Sequence, residues 1–131
     1  MRCLLDTHIW LWSLLAPEHL TRRVVRALEN RENELWLSPI STWELLMLVK
    51  KDRVRLNKDV EDWIGDAMSA GPMKEAPLTH EVALQTHRIK LPHRDPADAF
   101  LAATASVFDL TLITSDENLI RAKGVSVLAN R

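Results

Sequence analysis

The sequence predicts an α/β fold with a mostly parallel sheet and helices on both of its faces. Three observations carry that expectation. Short apolar runs of β character alternate with helical segments along all 131 residues, the pattern of a parallel sheet. Helix-start signals recur between those runs, at Thr21, Ser38-Pro39, Thr79 and Asp95-Pro96. No repeat, linker or low-complexity tract divides the chain, in which glycine occurs only three times. One domain over residues 1–131 is therefore expected. A chain of this size buries roughly two-thirds of its surface without a disulfide or structural metal.

The elements follow in order. Arg2 to Leu5 is a short strand stopped by Asp6 and Thr7, and Ile9 to Leu15 is an apolar helix ended by Pro17. Thr21 caps an amphipathic helix in which Val24, Val25 and Leu28 alternate with Arg22, Arg23, Arg26 and Glu29. Glu34 to Leu37 is the second strand. Ser38 and Pro39 open a helix that runs through Glu44 to Lys50. After the basic connection KKDRVRLNK, a helix spans Val60 to Ser69, and Gly71-Pro72 ends it. A third strand is expected at Ala76 to Leu78. Thr79 caps a helix to His87. The helix that starts at Asp95-Pro96 is apolar nearly all round and rich in alanine, so it is expected to be buried. A strand from Leu110 to Thr114, a short helix from Asp116 to Ala122 and a strand from Val125 to Leu128 complete the chain.

Composition excludes several classes. Hydrophobic residues make up 47% and charged residues 27%, which is globular rather than disordered. No apolar run reaches the roughly 20 residues needed to span a membrane. Asp6 and His8 interrupt what would be the apolar part of a signal peptide, so a cytoplasmic protein is expected. The one cysteine, Cys3, lies in an apolar stretch and reads as a buried thiol. A net charge of −1 neither demands nor excludes a nucleic-acid partner.

Four carboxylates stand out against this background. In an open α/β sheet, ligands bind outside the carboxyl ends of the strands. Asp6 follows the first strand and Asp116 follows the strand LTLIT. Glu44 lies on the helix after the second strand, and Asp98 in the first turn of the alanine-rich helix. A parallel sheet brings all four to one edge. Each has a plainer reading as well. Asp6 and Asp116 both suit helix caps, and Asp98 suits a helix dipole. Asp95 reads first as the N-cap that precedes Asp98. Glu44 interrupts the apolar run from Trp43 to Val49 and has no capping role. Crowded carboxylates repel one another until a proton or a cation relieves them. Mg²⁺ is the natural cation, because it takes oxygen ligands and commonly joins carboxylates to phosphate. The chemistry that follows is hydrolysis of a phosphodiester by a metal-activated water.

The segments LLDTHIWLW, SPISTWELLMLVKKDRV, HRDPADAFLAATA and LITSDENL together resemble the PIN-domain ribonucleases. Within that family they resemble the toxins of VapC-type (type II) toxin–antitoxin pairs. The resemblance covers the chain from end to end, in family order. It implies a three-layer α/β/α sandwich with a short parallel sheet. It also implies endoribonuclease activity dependent on Mg²⁺ or Mn²⁺. By position, Asp6, Glu44, Asp98 and Asp116 match the family's four acids. Thr7 and Thr114 flank them and are expected to orient ligands or a bound water. One departure is visible: Ala97-Asp98-Ala99 stands where many relatives have Phe-Asp-Arg, so a phosphate contact from that arginine is absent. The resemblance further implies a homodimer and an antitoxin partner. Trp10, Trp12, Trp43 and Met47 offer a surface for one, although core packing is expected for at least half of them.

Two basic clusters bear on RNA. Arg88, Lys90, His93 and Arg94 lead directly into Asp95, and they are the expected phosphate contacts. Lys50, Lys51, Arg53, Arg55 and Lys58 read better as a solvated loop. The five histidines show no metal-binding pairing, so zinc is not expected. A receiver domain would need adjacent acids after the first strand, and a haloacid-dehalogenase-type phosphatase would need a second Asp two residues beyond Asp6. Neither is present. The remaining alternative is a PIN module that binds RNA or protein without cleaving.

Overall fold

The computed structural model describes residues 1–92 and 95–131. Its elements are β1 (Arg2–Leu5), α1 (Thr7–Leu15), a 3₁₀ turn (Pro17–His19), α2 (Arg22–Glu29), β2 (Glu34–Leu37), α3 (Pro39–Lys50), α4 (Val60–Ser69), β3 (Met73–Glu75), α5 (His80–Arg88), α6 (Pro96–Phe108), β4 (Thr111–Thr114), α7 (Glu117–Ile120) and β5 (Val127–Ala129). The five strands form one sheet in the order β3-β2-β1-β4-β5. All four pairings are parallel, with Leu4 opposite both Trp36 and Leu112.

Side-chain alternation along these short strands divides the core in two. Cys3, Leu5, Leu37 and Ile113 face one side, with Ile9, Trp10, Val24 and Leu45 from α1, α2 and α3 packed on them. Leu4 and Leu112 face the other side, against Leu101, Ala102 and Ala105 of α6 and Leu119 of α7. α5 packs against α6. The result is the α/β/α sandwich that the sequence implied. Leu4 is 0% exposed, so Leu4→Ala would cost about 2–5 kcal/mol. Cys3 is buried, and burial pushes its thiol pKa up.

The start signals act as read. Thr21, Ser38, Thr79 and Asp95 each accept a hydrogen bond from a backbone N–H of the helix they cap. α6 ends where Asp109 turns into the left-handed region, at φ 53°, a conformation a short polar side chain tolerates.

Several boundaries differ from expectation. The third strand is Met73–Glu75, not Ala76 to Leu78. Gly71-Pro72 sets Met73 beside Leu35, and Ala76 N–H donates the last ladder bond, to Leu37 O. Pro77 has no N–H to continue it. As an exposed edge strand it lacks the apolar run that marks the others. The last strand shifts to Val127–Ala129, where Val127 pairs with Leu112. α1 starts at Thr7, because Asp6 is already its cap. α7 is only four residues long.

The topology fixes where a site forms. From β1 the chain moves outward to β2 and β3, then crosses back to β4 on the other side of β1. Connections therefore diverge at the carboxyl ends of β1 and β4, which opens a crevice there.

Candidate active site

That crevice is a cavity of about 360 Å³, and it is lined by Asp6, Glu44, Asp95, Asp98 and Asp116. All four acids expected at the site, and Asp95 with them, share one space. His8, Trp12 and Ser115 complete its described lining. No lysine or arginine is among these residues.

Asp6 ends β1 and caps α1 in the same stroke. Its own N–H donates to Ile113 O at 3.0 Å, extending the ladder by one residue. Thr7 N–H donates to Asp6 Oδ1 at 2.7 Å, and Thr114 Oγ1 donates to Oδ2 at 2.6 Å. The same Thr114 oxygen accepts from Asp116 N–H at 3.0 Å. One hydroxyl at the end of β4 thereby ties two of the acids together. Asp116 in turn caps α7, accepting from Asn118 N–H at 2.8 Å.

Glu44 is placed from α3. Thr7 Oγ1 lies 2.6 Å from Glu44 Oε1 and 2.8 Å from Ser41 Oγ. A hydroxyl has one proton to give. If Thr7 donates to an ionised Glu44, Ser41 must donate to Thr7, so the contacts form a relay. Ser41 and Glu44 are three residues apart and share one face of the helix.

Asp95 Oδ1 accepts from Ala97 N–H at 3.0 Å and Asp98 N–H at 3.3 Å, as the N-cap reading required. Asp98 is 8% exposed in the first turn of α6.

Burial is the chief reason that Asp6 stays protonated to higher pH than usual. The bonds from Thr114 and Thr7 and the nearby His8 oppose that shift, and the charge on Asp116 reinforces it. Glu44 is pushed up in the same way. Burial leads, the Thr7 bond opposes it, and the charges of Asp6 and Asp95 add to it. Asp6 and Glu44 thus resist ionisation, and a cation would relieve them. Its donors are carboxylate oxygens, which suit a hard divalent ion. Among the described residues, no three His, Cys, Asp or Glu are grouped as a finished metal cage.

The other expected residues divide. Lys90 lines an adjoining cavity that shares Asp95 with the acidic one. Arg88 donates to Gln85 on its own helix. His93 and Arg94 lie outside the described residues. In the first basic cluster, Arg55 pairs with Asp52 and Lys58 with Asp66, as a solvated loop would. Trp10 is 1% exposed and belongs to the core, whereas Trp43 is 55% exposed on α3. Trp12 and Met47 are half-buried. Sequence reading missed the cavity positions of Ser115 and Trp12 and the Ser41 contact. The spacings of His8 to Trp12 and Ser41 to Glu44, one helical turn each, were the available signals.

Comparisons with known proteins agree with this architecture. The PIN domain family matches residues 3–125. Ribonuclease VapC22 of Mycobacterium tuberculosis is 31% identical over 119 residues, 88% of each chain. The solved VapBC2 of Rickettsia felis, bound to a DNA fragment from their promoter, is similar with a TM-score of 0.73 over 98% of both chains. At 15% identity it speaks for the fold alone. FitAcB from Neisseria gonorrhoeae is 26% identical, with a TM-score of 0.64 over 98% of this chain and 97% of that one. No helix among the described residues is long and apolar enough to cross a membrane. The chain belongs to the PIN-domain family, in its VapC-type group.

Proposed function

We propose that this chain is a metal-dependent endoribonuclease, the toxin of a toxin–antitoxin pair, and that it hydrolyses RNA phosphodiesters at the acidic cavity. The observation that carries the reading is the meeting of five carboxylates from four segments, with no described lysine or arginine lining the space. The 31% identity to a protein named as a ribonuclease supports it.

In this reading Asp6, Glu44, Asp98 and Asp116 would hold Mg²⁺ or Mn²⁺. When bound, such an ion polarises a phosphodiester oxygen and lowers the pKa of a water. The chain's own residues do the positioning. Thr114 holds Asp6 and the backbone of Asp116, and Thr7 with Ser41 holds Glu44. Asp95 fixes the turn that carries Asp98. Lys90, which lines the adjoining cavity that shares Asp95, offers a phosphate contact.

The partner in this reading is an antitoxin. Leu14 and Leu15 on α1 are each 46% exposed, as is Trp43 to a greater degree, and an apolar cavity of about 650 Å³ lies between α1 and the end of α4. Exposed apolar area of this kind suits a protein partner or a second copy of the chain. That larger cavity contains none of the acids above, so it is no rival for the chemistry.

The test is cleavage of RNA by the purified protein. Cleavage should stop in EDTA and return with Mg²⁺ or Mn²⁺. Attack by water leaves the 2′-hydroxyl unused, so no 2′,3′-cyclic phosphate is expected at the new ends. Undiminished cleavage in EDTA, or cyclic ends, would contradict the proposal.

A further inference from the structure

One wall of the acidic cavity is aromatic. His8 and Trp12 both line the cavity. They stand one turn apart on α1, with ring centroids 5.7 Å apart and planes at 53°. His19, from the 3₁₀ turn, stacks on Trp12 at 5.1 Å with planes only 25° apart. Trp12 also packs against the core beneath α1. The indole is therefore braced by the core and by His19 while part of it borders the acids. A tryptophan that served only as core would not border this cavity, and His8 beside it is exposed.

Resting on the nuclease reading above, we propose that Trp12, braced by His19 and flanked by His8, is a stacking platform for an unpaired base next to the bond that is cut. The rest of the lining is mainly acidic and, away from a bound cation, repels backbone phosphates. A base face carries no charge and is attracted to an aromatic ring whatever its sequence. A duplex hides its base faces, and a single strand offers them. Trp12 thereby holds an exposed base by its face rather than by base-edge hydrogen bonds.

Binding to the whole protein in Ca²⁺ tests this by fluorescence anisotropy. The probes are labelled oligoriboadenylate, the same strand paired with oligouridylate, and a ribose-phosphate oligomer of equal length without bases. The free strand should bind at least about tenfold more tightly than either control, the scale of one lost stack. Trp12→Leu should remove that preference and raise KM on the free strand with kcat little changed, and Trp12→Phe should keep most of it. Equal binding of the oligomers with and without bases by the unaltered protein overturns the proposal, and needs no variant to fold. No binding of the free strand, or an unchanged preference in folded Trp12→Leu protein, overturns it too. Base-dependent binding with no cleavage in Mg²⁺ or Mn²⁺ overturns the nuclease reading instead and leaves the platform standing.

Discussion

Glu34 stands near the amino ends of the central strands and Asp6 at their carboxyl ends, and the two carboxylates meet opposite surroundings. Glu34 accepts from Lys74 Nζ at 3.1 Å and from Trp36 Nε1 at 3.2 Å, and Arg2 Nε is 3.5 Å away. Lys74 and Arg2 also lie 5.5 Å and 5.2 Å from the Trp36 ring centroid. The Lys74 bond leads the influences that hold the Glu34 carboxyl below its ordinary range. Asp6 and Glu44 have hydroxyl and amide donors but no lysine or arginine in the described cavity lining, and burial pushes both up. One end of the sheet is electrostatically complete. The other end keeps a surplus of negative charge in a confined space, which is a costly way to build a surface and a sensible way to build a cation site.

Substitutions at the two ends should therefore behave differently. Asp98→Asn should reduce RNA cleavage by more than the roughly 10–100-fold typical of a lost supporting partner, with the fold intact by circular dichroism. Full activity in that variant would break the comparison at its strongest point. Thr114→Val should come next. It strips a donor from Asp6 and an acceptor from Asp116 N–H, so cleavage should fall about 10–100-fold. Leaving those buried partners unpaired should also cost about 1–3 kcal/mol in denaturant unfolding.

Glu44→Gln should act on stability with the opposite sign. Because the folded pKa of Glu44 is raised, the folded state binds the proton more tightly than the unfolded one. Stability is then lost as pH climbs from the ordinary value of 4.5 through the raised folded value. At neutral pH without metal, Glu44→Gln should melt at a higher temperature than the unaltered protein, and below pH 4.5 the gap should close. A lower melting temperature at neutral pH would show that the carboxylate is not held at a cost. The smallest effect belongs to Glu34→Gln. The lowered pKa of Glu34 contributes stability above 4.5 and loses it as pH falls through the folded value. That variant should be slightly destabilised at neutral pH and cleave RNA normally.

Much of this was legible from local chemistry. Caps such as Ser38-Pro39 and Asp95-Pro96 act within four residues, so they can be read without knowing the fold. The acids could be gathered because a parallel sheet sends every strand's end to one edge. Edge strand β3 was misplaced because MKE carries no β pattern of its own and is paired only through its neighbour β2. The spacing of Ser41 to Glu44 puts both on one face of α3, but Thr7, which joins them, lies 34 residues from Ser41, and no local pattern announces that link. Trp12 read as either partner surface or core, and it is core on one side. Only the position of α1 beside the crevice shows that its other side borders the acids.

The melting temperature with and without Mg²⁺, for the unaltered protein, Asp98→Asn and Glu34→Gln, tests the central claim most directly. An ion that binds only the folded state adds about 2.7 kcal/mol of stability at a hundred times its Kd. The expected result is a clear upward shift in the unaltered protein and in Glu34→Gln, and a much smaller one in Asp98→Asn. No shift in the unaltered protein at saturating Mg²⁺ or Mn²⁺, or equal shifts in all three, would contradict the assignment of the acidic cavity as a cation site.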